Sequence, residues 1–309
     1  MKVLVTGISG YLASVVTPRL LGDDEVEEVR GIDLQYPQNI DTTNSKLVFI
    51  KKDVRAPDIV DSFSGIDVLF HFAFIVNPNV PYKEVDSINI EGSKNIFNAA
   101  AKAGVKHILY TSSIAAYGAD PTHNLPLKED SPLKPNDDWY YSRTKGAVEK
   151  FLNEFEPQHP DIKITRFRPA ILLGPTINNF FGTLLKAPLI TNFGQDARVE
   201  WVWDQDVADA IYLAFKKGKA GIYNVGGDNP LTWKEIAKVA GKRTIRLSYS
   251  LTVKGAELLG KLGILNKGYS EWVRIMKYTL WMDSSKAREQ LGWEPKYDSA
   301  GAIRFFLGL

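Results

Sequence analysis

Cysteine is absent from all 309 residues, which excludes disulfides, thiolate metal sites and cysteine nucleophiles. Any redox chemistry must therefore come from a bound cofactor. Histidine is scarce, and His71, His107, His123 and His159 lie too far apart for a local metal motif, so no metal site is expected. An excess of charge is missing too: 38 Lys and Arg stand against 36 Asp and Glu, a net charge of +2. That balance gives no electrostatic footprint for nucleic acid or for a membrane as the main partner, and leaves a small-molecule ligand as the expected one. No hydrophobic run reaches the length of a membrane span. The apolar start from Met1 to Gly7 is too short for a signal segment, so a cytoplasmic location is expected.

What is present is a 44% hydrophobic chain with enough length for a sizeable core. Short β-branched runs alternate with segments of helical period, the pattern of an α/β fold whose parallel sheet is wrapped by helices. Strands are expected at Lys2 to Thr6, Val29 to Asp33, Leu47 to Ile50, Val68 to Ala73, His107 to Ser112 and Ile162 to Arg168. Glu84 to Ala103 reads as one helix capped by Gly104. After Pro169 the rhythm changes, and Gly, Pro and aromatic residues crowd Gly174 to Gly194. A lysine-rich helical stretch with Leu258, Leu259, Leu262 and Ile264 follows later. A Rossmann-type doubly wound sheet over 1–168 is thus expected, with 200–226 and part of the C-terminus returning to it. A smaller, discontinuous C-terminal substrate lobe would comprise 169–199 and 227–290.

The first strand runs into Thr6, Gly7, Ile8, Ser9, Gly10, Tyr11, Leu12 and Ala13, a strand, a glycine turn and a helix. Gly7 permits the tight turn, Gly10 lets the backbone approach a pyrophosphate, and the helix start offers free N–H groups. Ala13 takes the third small position, where close helix-to-strand packing is required. Pro18 should kink or shorten that helix. Asp33 ends the second strand, where an acid accepts hydrogen bonds from ribose hydroxyls and repels a 2′-phosphate, which favours NAD over NADP.

Tyr141 and Lys145 stand four apart on an expected helix and share one face. An ammonium beside a phenol lowers the tyrosine pKa and makes it a usable acid or base, and Ser113 is placed to hydrogen-bond the reacting oxygen.

With these motifs the sequence resembles the extended short-chain dehydrogenase/reductases, the group containing NAD-dependent epimerases and dehydratases of nucleotide sugars. The likeness covers nearly the whole chain. It rests on Thr6-Gly7-x-x-Gly10, Asp33, Asp53-Val54, His71-Phe72-Ala73, Asn89-Ile90-x-Gly92, Ser112-Ser113 with Tyr117-Gly118, Tyr141-x-x-x-Lys145, Arg168-Pro169 and Asp206-Val207-Ala208. The resemblance implies a catalytic set of Ser113, Tyr141 and Lys145, with Tyr141 shuttling the proton and Lys145 also binding the nicotinamide ribose. It implies that Asp53 and Val54 hold the adenine, and that Ala73 lines the dinucleotide path with Phe72, Phe74, Asn89 and Thr111. Tyr11 and Leu12 belong to the same path, and Pro169 to Ile171 would lie against the nicotinamide. The helices bearing Asn89 and Tyr141 would form a homodimer interface.

Departures from the family pattern prune the reactions. Ser113, Ile114 and Ala115 stand where related dehydratases carry Thr-Asp-Glu, so dehydration lacks its extra acid and base. Oxidation, reduction or epimerisation through a keto intermediate remains, and the first expectation is a nucleotide-sugar epimerase or oxidoreductase. Asn178 and Asn179 would contact the nucleotide, and Arg198 would pair with its phosphate. Ile171 replaces an asparagine usual in those epimerases. Phe74, Ile75 and Val76, with Trp201 and Trp203, allow the alternative of a non-nucleotide hydrophobic alcohol or ketone, although these aromatics read as core. A non-catalytic dinucleotide sensor is a third reading, opposed by the intact Ser113, Tyr141 and Lys145.

Overall fold

The computed structural model describes residues 1–76, 80–194, 196–265 and 268–309. Strand β1 (Lys2–Thr6) has Val3, Leu4 and Val5 all buried, as a strand covered on both faces must. Its odd and even residues serve different cores. Val3 and Val5 pack with Val15, Val16 and Leu20 of helix α1 (Tyr11–Leu21), whereas Leu4 packs with the layer on the other side.

Strands β2 (Glu28–Asp33), β3 (Leu47–Lys51), β4 (Val68–His71) and β5 (His107–Thr111) follow. Between β4 and β5, helix α2 (Tyr82–Asp86) passes through a π-helical segment (Ser87–Gly92) into α3 (Ser93–Ala103), so the expected single helix is present with a π-turn inside it. The turn sets Gly92 against Val54, where an added Cβ would approach Val54 Cγ2 to 2.6 Å. Gly104 caps α3 at φ 78°, as expected. Helix α1 does not break at Pro18; it continues one turn and ends at Gly22, whose N–H bonds the Pro18 carbonyl at 3.0 Å. Leu20 and Leu21, both buried, hold that last turn down.

After helix α4 (Tyr140–Phe155) come β6 (Lys163–Pro169), β7 (Ile171–Leu173), α5 (Phe180–Lys186), β8 (Leu189–Asn192), β9 (Arg198–Val199), β10 (Trp201–Trp203), α6 (Asp204–Lys217) and β11 (Gly221–Val225). The main sheet has seven parallel strands in the order β11-β6-β5-β4-β1-β2-β3. Helices α1 and α6 cover one face and α3 and α4 the other, giving the doubly wound Rossmann-type sheet that the alternating pattern predicts. The strand order reverses between β1 and β4, and a crevice opens there at the carboxyl ends.

The chain closes with β12 (Leu231–Thr232), α7 (Trp233–Val239), β13 (Arg243–Arg246), α8 (Tyr249–Lys261), α9 (Tyr269–Ile275), α10 (Ser285–Leu291) and α11 (Ser299–Leu307). A third core gathers Leu173, Phe181, Leu185, Trp201, Trp233, Ile236, Met276 and Phe306. Trp201 belongs to this core while Val202 belongs to the core under α1, so β10 joins two hydrophobic layers through its alternating faces.

Candidate active site

Gly7 adopts φ 70°, and a Cβ there would lie 2.6 Å from the Ala73 backbone nitrogen. Only glycine permits this approach of the β1 turn to the segment after β4. Asp33 accepts the Ser9 N–H at 3.1 Å and the Leu34 N–H at 2.7 Å, which fixes its carboxylate at the tip of β2. Asp53 is bound at both oxygens by Arg55, whose Nη2 donates at 2.7 Å. Asp33, Leu34, Asp53, Val54, Ala73 and Ile88 line a cleft of about 230 Å³, and Gly7, Gly10, Phe72 and Phe74 line both this cleft and a larger cavity beside it. An elongated ligand spanning both spaces would pass over the two glycines, which is the path of a dinucleotide.

The wall of that path is fastened by a chain of buried hydrogen bonds. Thr6 Oγ1 donates to His71 Nδ1 at 2.7 Å, His71 Nε2 donates to Ser93 Oγ at 2.8 Å, and Ser93 Oγ donates to the Asn89 carbonyl at 2.6 Å. The Asn89 amide then closes on both backbone groups of Ile75, at 2.7 and 2.9 Å. Burial pushes His71 down to about 3, so it stays neutral and can both accept and donate. Asn89 lines neither cavity and acts by holding residues 72–76 in place.

Tyr141 and Lys145 share a face of α4, as their spacing predicts, and Glu149 continues that face one turn further. Glu149 is buried and grips Arg168 of β6 with both oxygens, at 2.8 and 3.0 Å, which anchors the helix to the sheet. Lys145 Nζ donates to the Thr111 carbonyl at 2.7 Å and lies 3.5 Å from the Phe74 ring centre. Desolvation in the cavity pushes the Tyr141 phenol up to about 12, with the Ser113 hydroxyl pulling it down. Burial also holds Lys145 well below its ordinary value, partly opposed by the Glu149 charge. Desolvation thus outweighs the lowering that the Tyr–Lys spacing alone leads one to expect. Ser113 Oγ accepts the Ala115 N–H at 3.1 Å, which fixes the oxygen at the start of a short helical turn.

The larger cavity, about 440 Å³, is lined by Gly7, Gly10, Tyr11, Leu12, Phe72, Phe74, Thr111, Ser113, Tyr141, Lys145, Pro169, Ile171, Asn178 and Asn179, so most of the sequence-derived site converges on it. Tyr11 directs its hydroxyl to Asp204 at 2.5 Å and presents its ring. Asn179 has its amide engaged, accepting the Gly182 N–H at 2.7 Å as the N-cap of α5 and donating to the Leu172 carbonyl at 3.2 Å. Arg198 is not brought into the cavity: it is exposed and pairs with Glu235 at 3.2 Å, while Val199 lines the wall instead. Neighbouring residues of a strand point to opposite sides, and Arg198 takes the outer one.

The sequence reading missed an aromatic wall. Trp139, Phe180, Phe181, Trp233, Tyr269, Trp272 and Tyr278 all line the cavity, and Trp272 stands 5.5 Å from the Tyr141 ring. Trp201 and Trp203 do not line it, in keeping with their reading as core. Lys145 is the one charged side chain on the lining among the described residues. Among the described residues no group of three or more His, Asp or Glu could hold a metal ion.

Residues 3–226 match the family model described as the NAD dependent epimerase/dehydratase family. The chain belongs to that family. Membership makes it an NAD-dependent enzyme of the extended short-chain dehydrogenase/reductase type, and the glycine turn, Asp33 and the paired cavities fit the dinucleotide. Among its relatives, an uncharacterized Mycobacterium tuberculosis protein, Rv0501, is 26% identical over 97% of this chain and 82% of its own. A UDP-glucose 4-epimerase of Lactobacillus helveticus is 28% identical over 98% of this chain and 94% of its own. The crystal structure of a UDP-glucuronic acid 4-epimerase from Bacillus cereus in complex with NAD superposes with a TM-score of 0.75 at 20% identity, covering 100% of this chain and 99% of that one, and shares the fold. No helix among the described residues is long and apolar enough to cross a membrane.

Proposed function

We propose that the protein interconverts a secondary alcohol and its ketone at an apolar, aromatic-walled site, with Tyr141 carrying the hydroxyl proton. NAD supplies the hydride acceptor when bound. Gly7, Gly10 and the start of α1 would receive its pyrophosphate, Asp33 the adenosine ribose, and Asp53 with Val54 the adenine. Lys145 and Thr111 would meet the nicotinamide ribose, with Pro169 and Ile171 against the nicotinamide ring. Ser113 would hold the substrate oxygen within reach of Tyr141, and Lys145 would offset charge developing on the phenol. Residues 169–199 and 227–290 would form the substrate lobe around the third core.

The observation that carries the substrate class is the cavity lining. Lys145 is the only charged side chain there among the described residues, and the rest of the wall is chiefly aliphatic and aromatic. A nucleoside diphosphate brings two negative charges, and stripping them of water without cationic partners costs several kcal/mol or more. A hydrophobic alcohol or ketone without a nucleotide fits this wall. The nucleotide-sugar reading is supported by the UDP-glucose 4-epimerase among the relatives and by Asn178 at the cavity. A pure dinucleotide sensor would have no use for Ser113, Tyr141 and Lys145 assembled at one cavity.

Thermal unfolding of the NAD-saturated protein with UDP, and NADH fluorescence with hydrophobic secondary alcohols, separates the two substrates. Formation of NADH from such an alcohol, with no stabilisation by UDP, is the expected result. Stabilisation by UDP together with epimerisation of UDP-glucose and no net NADH would replace it with the nucleotide-sugar reading.

A further inference from the structure

Helix α8 turns its least polar side toward solvent. Leu251, Leu258 and Leu262, the last at its C-cap, recur at spacings of seven and four and form one stripe, with exposures of 71%, 58% and 64%. Leu259 broadens the stripe within the helix, Ile264 extends it beyond the helix end, and Ile245 and Leu247 stand exposed before it. Ala256 and Gly260 face inward and Tyr249 packs on Phe193, while the leucines of the stripe stay outside. This inverts the usual amphipathic arrangement of a surface helix.

Charge is distributed around the stripe with one sign. Lys254 and Lys261 flank it on α8, and Arg243 and Arg246 are exposed on β13. From Lys242 to Ile264 the chain holds five basic residues and one acid, although its net charge is only +2 overall. That acid, Glu257, is paired with Arg274 at 2.5 Å.

We infer that α8, with β13 beside it, is a docking surface for a bilayer containing anionic phospholipid. The helix would lie in the plane of the interface, with Leu251, Leu258 and Leu262 at the acyl boundary and the lysines reaching back to the headgroups. At 13 residues it is too short to span. Charge complementarity selects this occupant over a second copy of the chain, because a two-fold contact through the stripe would set the basic flanks against each other. Arg274 of α9 ties the surface to the cavity: it holds Glu257, and its carbonyl accepts the Tyr249 hydroxyl at 3.2 Å, while Tyr269 and Trp272 of the same helix line the cavity. Docking would therefore bring the aromatic cavity close to the bilayer. The inference concerns this surface and does not depend on which alcohol is oxidised.

The test is flotation of the full chain with vesicles of phosphatidylcholine alone and of phosphatidylcholine with phosphatidylglycerol. The protein is expected to float with the anionic vesicles and to bind neutral ones at least about tenfold more weakly. L258S/L262S and K254E/K261E should each abolish flotation, while NAD binding and thermal unfolding stay unchanged because all four side chains are exposed. Three results overturn the inference: wild type left behind by anionic vesicles, K254E/K261E floating as well as wild type, or light scattering showing a dimer that L258S/L262S converts to monomer.

Discussion

The Glu271 carboxylate, on α9 in the C-terminal part of the chain, accepts the Tyr140 backbone N–H at 2.9 Å. Tyr140 opens α4 and immediately precedes Tyr141, and this helix start has no side-chain cap of its own. Glu271 supplies that cap from a distant segment and also accepts the Tyr82 hydroxyl. Glu271→Ala should lower kcat about tenfold with little change in KM, since a lost hydrogen bond to a charged group is worth roughly 1.5–3 kcal/mol and part of that falls on the placement of Tyr141. Glu271→Gln keeps an acceptor and should restore most of the rate. Steady-state kinetics of both variants decides it, and equal losses in the two would refute the capping role.

Tyr141→Phe removes the phenolic proton and keeps the ring contacts with Phe74 and Trp272. Turnover should fall by about 10²–10⁴ while NAD affinity is preserved. Calorimetric titration with NAD beside the rate measurement checks both halves, and a variant that keeps most of its rate removes Tyr141 from proton transfer.

Asp33→Ala should reduce the preference for NAD over NADP without unfolding the protein, because the carboxylate binds only local N–H groups at the rim of the cleft. Affinities for both dinucleotides are the readout. Unchanged discrimination would mean that the ribose is read elsewhere.

Glu200 should make stability fall as pH rises toward about 8. Burial pushes its carboxyl from an ordinary 4.5 up to about 8, partly countered by the backbone N–H groups of Met282 and Asp228. The native chain thus keeps a proton that the unfolded chain has released, and stability declines from about 4.5 to about 8 by up to about 1.4 kcal/mol per pH unit. Below about 6.5, His71 and His107, which burial holds down to about 3 and about 4, act in the opposite direction. Above 6.5 Lys145, which burial holds well below its ordinary value, also acts in the opposite direction, so Glu200 is read from the difference between wild type and Glu200→Gln. Urea unfolding from about 6.5 to about 8 should show stability falling more steeply with pH in wild type than in Glu200→Gln; parallel curves would contradict the assignment.

Six strands of the main sheet were legible as short β-branched runs, buried on both sides in β1, β4 and β5, and the glycine turn and the Tyr141–Lys145 pair were legible because their chemistry depends on local spacing. The aromatic wall was not, since Trp139, Phe180, Trp233 and Trp272 come from four segments that meet only in the third dimension. Arg198 was misjudged because the inward and outward positions of a two-residue strand leave no alternation to read. The same ambiguity hid the face of α8. A period of leucines looks alike whether it points at the core or at solvent, and a balanced total charge conceals a local basic cluster.

The hydrogen-bond chain from Thr6 through His71 and Ser93 to Asn89 behaves as a single heritable object. Each inner member gives one proton and takes another in a fixed direction, so exchanging one of them alone sets donor against donor or leaves a buried lone pair facing nothing. A change at one of these positions is therefore expected to need a matching change at its neighbour. Thr6, His71 and Asn89, three of the residues by which the sequence resembles its family, are joined through Ser93 into one continuous wire that keeps the segment after β4 against the glycine turn.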